Sequence, residues 1–205
     1  SNVCSSDLDG LDMPLRERNV LLTAAGFAPH FRERSLDGDD MSSVRKALDQ
    51  MLAHHEPYPA MVVNRDWELL MSNTAMHRLL GALPGLAERM ASDEPVNVVQ
   101  LVVDPDGPLP HIRNWDEVVT HLLQRLQREA AASESEKLSA LLDGFRTQSD
   151  IPPAWYDVDW TTPTPPVLPV VFDLNGTELH LFSMIATFGT PMDLTTDEIR
   201  VETFF

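Results

Sequence analysis

The stretch VLPVVFDLNGTELHLFSMIATFG, residues 167–189, leaves the chain few options. Two β-prone runs flank Asn175-Gly176, and that pair readily forms the two-residue hairpin turn because both turn positions need positive φ. On the second run Phe182, Met184, Ala186 and Phe188 share one face by two-residue alternation. The corner FGTP follows, where Gly189 is expected to turn the backbone at positive φ and Pro191 to stop the strand. Ile199, Val201, Thr203 and Phe205 then alternate, which predicts a further strand, with a short helix from Thr195 or Thr196 as the competing reading. Asp193 and Thr195 would secure the return. A strand ending a chain in this way must be paired, so an antiparallel sheet is expected.

A second hairpin lies upstream, where AMVV and WELLM flank the turn-forming Asn64-Arg65-Asp66. Asn73 or Ser72 can cap the helix that follows, TAMHRLL, which Gly81 would end. Further helices are predicted from Leu15 to Gly26, from Ser42 to Pro57, from Asn114 with Trp115, Val118, Val119, Leu122, Leu123 and Leu126 at helical period, and from Glu134 to Arg146. Short helical turns fill Leu83 to Pro110. The order hairpin, helices, hairpin, strand gives an α+β fold with a five-stranded antiparallel sheet covered by helices. The acidic stretch SLDGDD reads as a link, so residues 1–34 are expected to form a leader plus one helix, and residues 35–205 the main domain. SDIPPAWYDVDWTTPTPP reads as a long loop, a lid or binding element with disorder as the alternative.

Charge and cysteine content remove several function classes. A formal net charge of −17 repels phosphate backbones, so the chain alone is a poor nucleic-acid binder. Cys4 is the single cysteine, which leaves no intrachain disulfide and fits a reducing, cytoplasmic setting. No apolar run reaches the length of a membrane span. His54-His55 has no third ligand at suitable spacing, and no histidine falls in a metal motif. Gly-rich phosphate loops, nucleophile elbows and zinc-protease motifs are missing, which argues against an enzyme.

VVNRDWELLMSNTAMHRLLG resembles the opening of a PAS domain. LRERNVLLTAAGFAPHF, HHEPYPAMVVNRDWELLMSN, VNVVQLVVDPDG and ATFGTPMDLTTDEIRVETFF together resemble the C-terminal part of the MmyB-like transcriptional regulators. The resemblance implies a PAS-like ligand-binding domain preceded by the closing helix of a truncated Xre-type helix-turn-helix, with the recognition helix outside this chain. It also implies a small, largely apolar ligand, a fatty acid being the suggested class, no further cofactor, and DNA contact only through the missing helix-turn-helix. A homodimer is left open. The chain departs from the family in carrying Asp104 before Pro105-Asp106-Gly107, where a His is common.

Under that reading the pocket would be lined by Met61, Val63, Trp67 and Leu69 of the first hairpin, Met76 of the helix after it, Trp115, Val119 and Leu122 of the long helix, and Phe182, Met184, Ala186 and Phe188. Ordinary core is the other reading of each. Asn73 would orient a head group or cap its helix. Arg113 and Asn114 stand beside the start of the long helix, where unpaired backbone N–H groups favour an anion, and would hold a carboxylate; the alternative for Arg113 is a solvated charge. Against the sensor stand a filled-core interaction module using Trp155, Tyr156 and Trp160 as exposed aromatics, and an enzyme acting on an apolar small molecule.

Overall fold

The computed structural model describes residues 13–83, 86, 95–133, 135–148, 151, 155 and 167–205. Its centre is an antiparallel sheet of β1 (Ala60–Val63), β2 (Leu69–Ser72), β3 (Pro169–Leu174), β4 (Thr177–Ala186) and β5 (Arg200–Phe204), in the order β2-β1-β5-β4-β3. The last strand therefore lies between the two hairpins, paired with β1 on one edge and β4 on the other. Asn175 at φ 54 and Gly176 at φ 87 form the expected turn, and Leu174 faces Thr177 across it. Both readings of the terminal segment occur in succession, because a short helix, Leu194–Glu198, delivers the chain into β5.

The helices are α1 (Leu15–Ala24), α2 (Ser42–His54), α3 (Thr74–Gly81), α4 (Val98–Val103), α5 (Trp115–Ser133), α6 (Glu136–Arg146) and α7 (Leu194–Glu198). The run AMVV is buried throughout because it packs on both faces. Met61 and Val63 join Val99, Val119, Leu123, Leu126 and Leu138 beneath α4, α5 and α6. Ala60 and Val62 point the other way and, with Val201, meet Leu48 and Leu52 of α2. The alternation of one short strand thus fixes which helices cover which face.

Local polar chemistry sets the element ends. Asn73 is buried, and its Oδ1 accepts from Met76 N as a helix cap and from Ala60 N at the start of β1. Its Nδ2 donates to Tyr58 O at 2.7 Å, so one side chain joins helix, strand and loop. Asn97 caps α4, Ser135 caps α6 and Asp193 caps α7. Gly107 closes the turn after α4 by donating to Asp104 O, and a Cβ there would stand 2.3 Å from Leu101 O, so only glycine fits.

Several expectations are corrected. Trp67 leaves the strand register at φ 65, and β2 begins only at Leu69. The reason is Asn64, whose Oδ1 accepts from both Asp66 N and Glu68 N and whose carbonyl accepts from Trp67 N. Helix α3 does end at Gly81, but through Ala82 as a right-handed cap rather than through a glycine at positive φ. Gly189 has no positive φ, and a Cβ on it would meet nothing within 4 Å. Trp155 is wholly buried, not exposed, under the Arg146 guanidinium at 5.8 Å. Tyr156, Trp160 and most of the proline-rich loop lie outside the described residues, as does Glu134.

Helix α1 is attached to α7. Asp197 Oδ2 accepts from Leu15 N at 3.0 Å, and Glu198 accepts from Arg16 Nε at 2.6 Å and Nη2 at 2.9 Å. Thr195 Oγ1 accepts from Arg34 N and donates to Arg34 O, and Leu194 N donates to Arg32 O.

Removing Asn73 takes away a cap and leaves buried backbone groups unpaired, so Asn73→Ala is expected to lower stability by about 2–4 kcal/mol. Gly189→Val is expected to change it by less than about 0.5 kcal/mol. Urea denaturation of both variants checks the pair, and the reverse order would contradict this account of the terminal corner.

Candidate ligand-binding face

Alternation and register place Arg200, Glu202 and Phe204 of β5 on the sheet face that looks toward α5. Glu202 stands opposite Met61 on β1 and Ile185 on β4, Arg200 opposite Val63, and Phe204 opposite Ser183. Helices close this face over β1, where Met61 and Val63 are buried. Over β4 Leu181 is buried, but the later part of the strand is open, with Ile185 37% exposed and Ser183 exposed. Glu202 sits at the border, 8% exposed.

A compact polar cluster flanks this border. Arg125 and Glu129 are one turn apart on α5 and pair at 2.8 Å. Glu129 Oε2 also accepts from Arg200 Nη1 at 2.6 Å and from the indole Nε1 of Trp67 at 2.8 Å. The Arg125 guanidinium lies 4.7 Å from the centre of the Trp67 ring and that of Arg200 5.9 Å. Two cations on one aromatic ring, bridged by a single carboxylate, hold the unusual Trp67 conformation.

The two carboxyls titrate in opposite directions. Burial works against ionising Glu129, but the Arg200 and Arg125 guanidiniums outweigh it and hold the carboxyl below its usual range. Burial dominates at Glu202 and pushes its carboxyl up, against the opposing hydrogen bond from the Ser183 hydroxyl and the pull of Arg125 and Arg200, with Glu129 adding to the rise.

The expected lining residues divide. Met61, Val63, Trp67, Met76 and Val119 lie in one buried cluster, with Leu69, Trp115 and Leu122 packed on it. Asn73 spends its side chain on the cap and on β1. Phe182, Met184, Ala186 and Phe188 lie on the opposite face of the sheet. There Ala186 and Phe188 pack beside α2, Phe182 stacks on Phe205 at 5.4 Å, and Met184 is exposed. Arg113 bonds Asp173 and Glu178 across the second hairpin, and Asn114 binds Pro169 O and Val171 N, so the pair ties the start of α5 to β3 and β4.

Arg125, Glu129, Ser183, Ile185, Arg200 and Glu202 escaped the sequence reading. In IRVETFF the apolar positions look like the buried side and Arg200 and Glu202 like the wet side. The available signal was that a strand paired on both edges has no face that is automatically solvent. Elsewhere, an open groove of about 530 Å³ runs along α1, lined by residues including Val20, Ala24, Pro29 and Leu194. Its polar members are already engaged, Arg16 with Glu198 and Asn19 with the backbone of His30 and Phe31. The inner face is the stronger candidate. Among the described residues no three His, Cys, Asp or Glu side chains are placed to hold a metal ion, and no helix is long and apolar enough to cross a membrane.

A five-stranded antiparallel sheet with helices over its inner face, and polar groups converging at the uncovered part, defines an α+β domain of PAS-like architecture. Residues 44–205 match the MmyB-like transcription regulator ligand binding domain, and the chain belongs to that family. No curated protein matches the chain.

A carboxyl raised in the fold costs nothing at pH below 4.5, its ordinary value, and costs progressively more as pH rises through its folded value. Glu202→Gln is therefore expected to raise the melting temperature at neutral pH, with the gain vanishing in acid. Glu129→Gln is expected to lower it at neutral pH, by less as pH falls. Thermal melts across pH check both, and a neutral-pH loss in the Glu202 variant would refute the sign given to Glu202.

Proposed function

We propose that the chain is the ligand-sensing part of a DNA-binding transcription regulator, and that it takes up a small, largely apolar molecule, a fatty acid or similar amphiphile, against the inner face of the sheet. The observation that carries the reading is the double role of β5. Arg200 and Glu202 lie on the ligand face, while the helix that feeds this strand holds α1 through Asp197 and Glu198. Contact with the ligand face then has a short mechanical route to the N-terminal helix. A ligand drives such a shift only through different affinities for two arrangements. DNA would be read through a helix-turn-helix ahead of α1, since a chain of charge −17 is repelled by phosphate. The reading is regulatory rather than catalytic and places the protein in the cytoplasm, with a homodimer as one assembly.

A filled-core interaction module is the second reading. It is favoured by the outer sheet face, where Tyr58, Phe182, Met184 and Phe205 are exposed together. Denaturing solvent extraction of the purified protein followed by mass spectrometry separates the two. A stoichiometric amphiphile supports the sensor, and an empty extract favours the interaction module.

Glu198 also accepts from Arg65 in the β1–β2 turn, at 3.3 Å, so it joins α1 to the sheet. Glu198→Gln is expected to speed amide exchange in α1 at least about tenfold while β1 and β5 stay protected. Unchanged exchange in α1 would remove this route.

A further inference from the structure

We propose that the uncovered strip of the inner face is a proton-linked site for a monocarboxylate, in which Arg125 and Arg200 donate to the ligand's carboxylate and Glu202 takes up a proton when it binds. This rests on the small-molecule reading above and assigns the polar half of that ligand.

The donors are present and preorganised. Among the described residues Arg125 gives its Nε to Glu129 and Arg200 gives its Nη1 to the same carboxylate. Each guanidinium therefore keeps N–H groups for another acceptor. Their bonds to Glu129 and the nearby Trp67 ring, 4.7 Å and 5.9 Å from the two guanidiniums, restrain both side chains before binding. Both side chains are partly accessible, at 30% and 23%. The neighbouring floor is also reachable, with Ile185 offering apolar surface for a tail.

Charge selects the ligand class. The groups facing Glu202 are Arg125 and Glu129 from α5 and Arg200 on its own strand, while β1 presents Met61, and β4 presents Ile185 and the untitratable Ser183. Two cations against one firmly ionised carboxylate, Glu129, leave one positive charge. Glu202 can balance that charge from within, at the cost of ionising a carboxyl that burial disfavours. A bound carboxylate balances it instead. The incoming anion raises the Glu202 pKa further, as like charges in one site do, and the carboxyl takes a proton from bulk water. The neutral acid then donates its O–H within the site. The net event is uptake of one anion and, where Glu202 was ionised, one proton. The pair Arg113 and Asn114 offers no comparable set, since its bonds close the second hairpin.

The test is calorimetric titration of the full chain with dodecanoate and with 1-dodecanol, both below micelle-forming concentrations, over a range of pH. Dodecanoate is expected to bind roughly tenfold or more tighter than the alcohol. Arg125→Gln and Arg200→Gln are expected to erase that preference. The lysine variants at the same positions, which keep the charge beside Glu129 and lose the planar fork, are expected to retain part of it, and melting curves confirm that each variant is folded. Dodecanoate affinity is expected to fall as pH rises through the range where Glu202 ionises, and E202Q to flatten that fall. Equal affinity for acid and alcohol, or arginine variants that keep the full preference while folded, would overturn the carboxylate site and leave the apolar-ligand reading standing. Binding of neither probe would overturn both. A pH dependence that survives in E202Q would overturn the proton linkage.

Discussion

Everything in this domain waits on the pairing of β5. The two hairpins are local and close early in sequence terms, yet neither has a complete sheet face until the last strand enters between them. Ala60 pairs with Thr203 and Met184 pairs with the same residue from the other side, so one residue near the C-terminus joins two strands from distant parts of the chain. Such long-range pairing carries a loop-closure cost that the burial of Val62, Val201 and Ile199 under α2 has to offset. The entry into β5 is correspondingly controlled, with Asp193 capping α7 and Thr195 bonded to both backbone groups of Arg34.

A strand enclosed on both edges and covered on one face has one direction left for charged side chains, and Arg200 and Glu202 take it. The fold tolerates Arg200 because Glu129 and the Trp67 ring receive its charge. That arrangement in turn requires Trp67 at positive φ, which Asn64 supports with three hydrogen bonds from the turn backbone. The inner-face cluster and the odd backbone of the first hairpin are thus parts of one structural solution. Glu202 is left without an equal partner, and a buried acid lacking a matched cation is the place where a small external change in charge has the largest effect.

The sheet was legible in the sequence because its signals are local: Asn175-Gly176 at one turn, alternation through Val201 and Thr203, and the Asn73 cap. The sequence misled where two elements far apart share a decision. Phe182 and Met184 look like pocket residues by alternation, but which face of β4 meets the helices is set by its register with β5, and that register turns them outward. Arg113 looked like an anion holder because it adjoins the start of a helix, and Asp173, sixty residues away, is an acceptor that no spacing rule could supply. Gly189 was credited with a backbone role that the sharp corner never needed, because Pro191 and the Asp193 cap redirect the chain without it. Cluster residues such as Glu129 read as ordinary solvated charges on an amphipathic helix, and only the packing of α5 over β5 gives them partners.

The global and local electrostatics of this chain point in opposite directions, and the difference is instructive. A net charge of −17 spread over the surface acts weakly on a small ligand, because salt screens exposed charges beyond about 8 Å. On the inner face Arg125, Arg200 and Glu129 are partly enclosed by protein, and their charges act on one another more strongly than distant surface acids do. The acidic excess is spread over the chain, while on the inner face Arg125 and Arg200 share the single carboxylate of Glu129. The placement of positive charge on a strand hidden between two hairpins, rather than on the surface, is the physical form that the difference takes here.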